Sequence, residues 1–530
     1  MVHETYSVLF TIHRAQNVPI ADFHDLSADP YVRAHIVAPN RPRSPSEPPL
    51  RWRTPTVHIT RDPVWEDTWL VGGLPSDGFL LELSVIDEDV KDRDDRLGKA
   101  EARFTRDMMH EGFEVREKEF KIQKRRGSVL PYIMTYLAPI LPGQHLRKHP
   151  RIIISAKVVG KTKTLDDSRV YTIGPNAYTQ HFSPLIGSMV NRSNRFTKSL
   201  PKQETGDHKR LVKASTFVAS QLQLTGPTPK ELRHHYVGYN YFIKWLYSNS
   251  GIAGKVLYQG LRKQYRTIYS HDKCTVYGVV HAKDSDASTS GESSAGSAQT
   301  RAFAQQFLHL TGYGEGGRLQ TYVLTLDGQW RFSETGDEFA IDFLSKHMMH
   351  ADGAPIVAYA GEFFVRRIHD ESGDSSRQEN RSNEPDDDPV HYELIIDNDS
   401  GTYRPPQATL PILQAWLEDS QRLGGLGRVT AMDSFDDNLQ EMKRERKELK
   451  KRLAGGKLPV HKVVKCQGLS ARSLNIDGRK MSSREVERVV EEANKDIENK
   501  IREGSEKASH DAPNAAMEKS AQRTDSGVHI

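Results

Sequence analysis

Over the first 120 residues, apolar and polar positions alternate in short runs, the period-two signature of half-buried strands. Tyr6-Ser7-Val8-Leu9-Phe10-Thr11-Ile12 opens the series, and further runs lie at 31–37, 55–60, 79–86 and 97–104. Pro39-Asn40, Arg61-Asp62-Pro63, Gly72-Gly73 and Asp77-Gly78 punctuate them as turns. With no helical pattern between them, these strands predict an all-β sandwich over 1–160. Arg151-Ile152-Ile153-Ile154-Ser155-Ala156-Lys157-Val158-Val159 supplies its last strand, after an apolar insert over 129–141 expected to pack on the sandwich.

Beyond it the pattern changes several times. Residues 161–209 are polar and read as a linker. Over 210–283, Leu211, Ala214, Phe217, Val218, Leu222 and Leu224 recur near helical spacing, and Tyr241, Phe242, Trp245 and Leu246 continue it. The Ser/Ala/Gly-rich stretch 284–300 reads as a disordered insert. An α+β domain is expected over 301–427. It holds a hairpin at 321–332, a helix at 339–349, strands at 356–368 and 391–396, and a helix at 410–417. Its Tyr313-Gly314-Glu315-Gly316-Gly317 reads as a flexible loop, and its acidic insert 370–389 as disordered.

The segment 428–530 is a charged helical tail, partly disordered. Met432, Phe435, Leu439, Met442, Leu449 and Leu453 follow three-four spacing, with Arg446 at the remaining seam position. Asp433, Asp436 and Asp437 come early and Lys450, Lys451 and Arg452 late, which complements a helix dipole. About three heptads is short for a free-standing coiled coil, so docking on the chain's own body is favoured over self-association. A second amphipathic helix starts at Ser482, capped by Glu485, and presents Val486, Val489, Val490, Ala493, Ile497 and Ile501.

Composition narrows the function classes. The chain has 530 residues, 36% hydrophobic and 27% charged, enough for several cores with the surplus polarity in loops and tails. A net charge of +4 is mild and argues against a nucleic-acid partner. Its positive charge is local: Arg41, Arg43, Arg51, Arg53 and Lys124-Arg125-Arg126 form either an acidic-lipid contact or a solvated face. Cys274 and Cys466, the two cysteines, offer no disulfide framework, which suits a reducing, cytoplasmic setting. The start Met1-Val2-His3-Glu4 lacks the features of a signal peptide, and no run reaches the roughly 18 apolar residues of a membrane span. Membrane contact, if any, is therefore expected to be peripheral.

The most specific chemistry is a pair of acidic clusters at strand ends. One holds Asp22 and Asp29; the other runs Asp87-Glu88-Asp89-Val90-Lys91-Asp92-Arg93-Asp94-Asp95. Ca²⁺ takes six to eight oxygens, many from carboxylates, and aspartates forced together repel unless a cation neutralises them. Asp29-Pro30-Tyr31-Val32, Asp62-Pro63-Val64-Trp65 and Asp87-x-Asp89-x5-Asp95 ahead of Leu97-Gly98 resemble the motifs of the C2 domain family. The resemblance implies a Ca²⁺- and phospholipid-binding sandwich with Asp22, Asp29, Asp87, Asp89 and Asp95 as ligands. Asp25 competes with Asp22, because the first loop is one residue longer than the commonest form. Phe23, Leu26 and Val90 would enter lipid, and Lys91 and Arg93 would meet headgroups.

Other constellations are weaker. His347, His350, Asp352, Glu362 and His391 lack a zinc-binding motif, and the histidines read as structural or surface residues. Asp397-Asn398-Asp399-Ser400-Gly401 starts like a calcium loop without its closing Glu, and reads as a strand-to-loop turn. Gly-x-Ser-x-Gly and P-loop motifs are absent from the sequence. The Arg262-Lys263-Gln264-Tyr265-Arg266 run reads as the edge of a helix. The leading expectation is a non-enzymatic, peripheral protein recruited to anionic membrane by Ca²⁺. A Ca²⁺-independent adaptor or scaffold and a hydrolase or metalloenzyme in 301–427 are the alternatives.

Overall fold

The computed structural model describes residues 4–22, 26–38, 50–88, 94–123, 149–162, 169–183, 217–235, 269, 275–280, 292–335, 347–351, 356–368, 388–400, 404–455, 475–476 and 479–480. Two units divide the chain: 1–238 with 265–467, and 239–264 with 468–530. In the second, the described residues form one strand pair, Asn475–Ile476 with Arg479–Lys480. The apolar insert 129–141, the runs at 241–246 and 262–266, residues 370–387 of the acidic insert and the helix from Ser482 all lie outside the described residues. The end of that insert is ordered: Asp388 caps a helical turn that begins at Pro389.

In the first unit the chain opens with β1 (Thr5–Gln16), β2 (Pro30–Val37), β3 (Arg51–Arg53), β4 (Val64–Pro75), β5 (Gly78–Asp87), β6 (Asp95–Thr105), β7 (Glu114–Lys121) and β8 (Arg151–Lys161). Alternation does what the sequence requires: in β1, Tyr6, Val8, Phe10 and Ile12 are buried while the residues between them are half-exposed. One sheet has the order β7-β8-β1-β4, the other β3-β2-β5-β6. Their inner faces share one core in which Phe10 packs on Trp69, Phe79 and Phe104. The expected sandwich is present, closed by β8.

Two details depart from the expected strands. Residues 55–60 form a loop, with Ile59 at φ 55°, a left-handed conformation costly for a β-branched residue. Gly72-Gly73 is no turn but part of β4. There the next strand, β9 (Tyr171–Gly174), joins the sandwich sheet beside β4. A Cβ on Gly72 would stand 2.7 Å from the Tyr171 ring, and one on Gly73, at φ 75°, 2.0 Å from the Arg169 carbonyl oxygen. The glycines are what let the strand approach.

β10 (Ala177–Ser183) then enters a second sheet, so 161–209 is not simply a linker. The sheet is completed by β11 (Phe217–Gln223), β13 (Thr275–Val279), β14 (Gln320–Leu324), β15 (Gln329–Glu334), β17 (Tyr359–Arg367), β18 (Tyr392–Asp397) and β19 (Arg428–Met432), in the order β13-β10-β11-β15-β14-β17-β18-β19. Separately, β12 (His234–His235) pairs with β16 (Ile356–Val357). The helical expectation for 210–283 fails at β11 and β13. Leu222 faces the core, but the ladder to β10 and β15 on either side settles the backbone as strand.

Helices cover this sheet. α1 (Glu292–Thr311) overlaps the expected insert 284–300, and it buries Phe303, Ala304, Phe307 and Leu308. The next, α2 (Met348–Ala351), is a single turn. α3 (Leu410–Leu417) is the expected helix and makes the crossover that sets β19 parallel to β18. α4 (Asp437–Gly455) is the tail helix. Its docking face is Leu439, Met442, Lys443 and Arg446, while Leu449 stays exposed and Phe435 lies before the helix, 76% exposed. The glycine-rich 312–317 segment is packed against α4, with Arg446 Nη1 donating to the Gly314 carbonyl at 2.8 Å.

Candidate functional site

The aspartate loops are placed by strand register. β2 begins one residue after Asp29, β5 ends at Asp87, and Pro30 pairs with Asp87. β6 begins at Asp95, directly opposite Asp87. The Asp29 backbone N–H donates to Asp87 Oδ1 at 2.6 Å, and the Glu88 N–H returns to the Asp29 carbonyl at 2.9 Å. Asp87 is 1% exposed. Thus the two acidic clusters, 58 residues apart in sequence, meet at one end of the sandwich.

A third loop, 54–60, completes this end. Ile59 N–H donates to Asp29 Oδ1 at 2.7 Å, and His58 Nδ1 lies 3.1 Å from Asp29 Oδ2. Asp22 holds the first loop closed through its N–H to the Ser27 carbonyl, and Leu26 turns the chain at φ 53°. Phe23, Asp25, Asp89, Val90, Lys91 and Arg93 lie outside the described residues. Among the described residues, no group of three or more His, Cys, Asp or Glu converges tightly enough to hold a metal ion. What meets here is the Asp29 backbone N–H with one Asp87 carboxylate oxygen, while the Asp29 carboxylate faces the Ile59 N–H and the His58 imidazole.

The sequence profile of the C2 domain family matches residues 7–119. Residues 7–119 form a C2 domain. Solved structures similar to the chain include a C2 domain of plant extended synaptotagmin 1, at 14% identity, TM-score 0.20, covering 30% of this chain and 97% of that one. A C2 domain of Drosophila RIM aligns at 20% identity and TM-score 0.15, over 19% of this chain and 86% of that one. Human GIVD cytosolic phospholipase A2 aligns at 17% identity and TM-score 0.22, over 43% of this chain and 27% of that one. Comparison with curated proteins gives no match.

Beside the aspartates, the C2 domain carries an arginine that sequence reading assigned to a basic surface. Arg53 is buried. Its guanidinium lies 3.9 Å over the Tyr31 ring and 4.8 Å over the ring of Tyr277, which comes from β13 of the second sheet. The same guanidinium donates to Thr56 Oγ1 at 2.8 Å and pairs with Glu88 at 3.2 Å. The Tyr31 hydroxyl donates to Asp94 Oδ2 at 2.7 Å, and the Tyr277 hydroxyl donates to the Arg53 carbonyl. Burial raises both phenols well above their ordinary range and lowers Arg53. No local pattern marks Tyr277 as a partner of the C2 domain; only the Asp-Pro-Tyr-Val motif hinted at Tyr31.

In the body, His347 and His350 are buried and hydrogen-bonded. His347 Nε2 lies 2.9 Å from the Gly361 carbonyl, and His350 contacts Ser333 Oγ at 3.1 Å and the Tyr269 hydroxyl. Burial holds His350 well below its usual value, hence neutral. The Asp397-Asn398-Asp399 turn receives the ammonium of Lys443. Lys443 Nζ lies 2.5 Å from Asp397, 2.8 Å from Glu362 and 3.7 Å from Asp399. A cavity of about 490 Å³ opens at the carboxyl ends of β18 and β19, lined by Asn398, Arg404, Pro405, Gln407, Asp433, Phe435 and Asp436. Its lining among the described residues has no Ser, Cys or His to serve as a nucleophile or imidazole base.

Proposed function

We propose that this protein is a peripheral membrane protein whose C2 domain binds anionic phospholipid in a Ca²⁺-dependent way and so recruits the attached body and tail from the cytoplasm. Asp22, Asp29, Asp87, Asp89 and Asp95 would hold the ion, which supplies positive charge and open coordination sites to lipid phosphate or carboxylate. The observation that carries this is the Asp29–Asp87 junction, where the backbone N–H of one acidic residue rests on the carboxylate of the other and brings the two acidic segments to one end of the sandwich. Without a counter-ion that end repels an anionic surface; neutralised, it presents Phe23, Leu26 and Val90 to lipid and Lys91 and Arg93 to headgroups. Among the described residues no helix is long and apolar enough to cross a membrane. The body and the tail helices are then cargo, open to protein partners, and carry no catalysis.

Sedimentation with phosphatidylserine/phosphatidylcholine vesicles tests this directly. The full chain should pellet with Ca²⁺ and stay in solution with chelator, and a D87N/D89N variant should stay in solution in both. Equal pelleting in both conditions would refute the switch.

One observation favours a second reading, a Ca²⁺-independent adaptor. Asp29 already has an N–H and an imidazole against its two oxygens, and Glu88 already has Arg53, so the loops are internally neutralised in part. In that case D87N/D89N would keep every protein partner.

A further inference from the structure

One contact between the C2 domain and the eight-stranded sheet is built on the residues that bound the second acidic segment. Residues 88–94 connect β5 to β6, and both ends of this segment are tied to one stack: Glu88 to the Arg53 guanidinium at 3.2 Å, Asp94 to the Tyr31 hydroxyl at 2.7 Å. Between Tyr31 and Tyr277, Arg53 is held at 3.9 and 4.8 Å from the ring centroids. Tyr277 belongs to β13, the edge strand of the second sheet, and lies 224 residues further along the chain. Its hydroxyl is bonded to the Arg53 carbonyl.

We propose that this Tyr31–Arg53–Tyr277 stack couples cation occupancy of the aspartate loops to the docking of β13 on the C2 domain, so that the body senses whether the loops are filled. The proposal rests on the Ca²⁺-binding role assigned above and adds to it a path into the body.

The physical reason is that one buried cation has partners on both sides. A desolvated guanidinium needs its carboxylate and aromatic partners, and a cation–π contact strengthens as water is removed. With Tyr277 in place, Arg53 has one position, and Glu88 and Asp94 are fixed with it. Asp87 and Asp95, the residues flanking this segment, are thereby pre-set across the β5–β6 register. A pre-set cage loses less entropy when it closes on an ion. Reciprocity follows from linkage: whatever β13 docking adds to ion affinity, the ion adds to β13 docking.

Two measurements on the full chain test this. In the first, Ca²⁺ titration calorimetry compares the wild type with Tyr277→Ala, Tyr277→Phe and the neighbouring control Val276→Ala. Tyr277→Ala should weaken Ca²⁺ binding about tenfold, within the usual range of coupling between sites. Tyr277→Phe keeps the ring and should weaken it less, and Val276→Ala should match the wild type. The second needs no variant: Ca²⁺ should slow amide exchange across Thr275–Val279 in the wild type. If the wild type binds Ca²⁺ but Tyr277→Ala binds it equally well and exchange in that strand ignores the ion, the coupling is overturned while the membrane role stands. If the wild type binds no Ca²⁺, both fall.

Discussion

The backbone N–H of Asp29 rests on the side chain of Asp87, 2.6 Å from Oδ1, and this one bond ties the first acidic loop to the last residue of β5. Asp87 therefore has a structural duty as well as the ligand role proposed for it. Asp87→Asn keeps an oxygen acceptor for Asp29 while lowering charge, so it should abolish tight Ca²⁺ binding with little loss of stability. Asp87→Ala removes the acceptor and should cost a further ~1–3 kcal/mol, the usual penalty for an orphaned buried donor. Calorimetry with Ca²⁺ and thermal denaturation in chelator separate the two effects.

Lys443 fastens the tail helix to the second sheet. It is 3% exposed and pairs with Glu362 and Asp397, themselves buried. Lys443→Met should destabilise the body by about 3–5 kcal/mol, because it strands two buried carboxylates. The triple variant Lys443→Met, Glu362→Gln, Asp397→Asn should regain most of that loss in urea denaturation. A triple variant no more stable than the single would show that the ammonium contributes by packing alone.

The same cluster gives a pH dependence. Burial, only partly offset by Lys443, pushes the Asp397 carboxyl up from 3.8 to about 6. The folded carboxyl thus holds its proton more tightly than the unfolded one. Its contribution to stability is complete below pH 3.8 and is lost as pH rises through about 6. Stability measured as wild type minus Asp397→Asn should therefore fall between about pH 4 and pH 7. Taking the difference removes the opposite trend from His350, whose neutral form is the buried one and which loses stability as pH drops. A flat difference curve would count against the raised carboxyl.

Gly73 holds β9 against the sandwich. With φ at 75° and a prospective Cβ 2.0 Å from the Arg169 carbonyl, Gly73→Ala combines backbone strain with a backbone clash. It should cost about 1–3 kcal/mol. It should also speed amide exchange at Tyr171–Gly174, where Thr172 accepts from both Trp69 Nε1 and the Gly226 N–H. Unchanged exchange there would mean that β9 is held without the close approach.

The sandwich and its acidic end were legible because each signal sits within a few residues. The Tyr6–Ile12 alternation declares a strand, and Asp29-Pro30-Tyr31-Val32 declares the loop before β2. Legibility failed where one stretch suits two structures. Phe217–Gln223 fits a helix by spacing and became a strand because β10 and β15 bond it on both edges. The stretch before Arg301 looked too rich in Ser, Ala and Gly for order, yet α1 starts at Glu292 and is held by the buried face beyond it, at Phe303 and Phe307. The Arg53 charge reads as a surface group, since basic residues usually are, and no local signal singles out Lys443.

By itself, then, the sequence determined what its local order can encode: where strands alternate, where helix α3 runs, and which aspartates end the strands. Only the tertiary structure decided which other distant groups share a site: Arg53 with Tyr277 and Lys443 with Glu362. The reason is physical. Periodicity is a property of neighbours along the chain, whereas a buried charge finds its partner only when the whole sheet has closed around it.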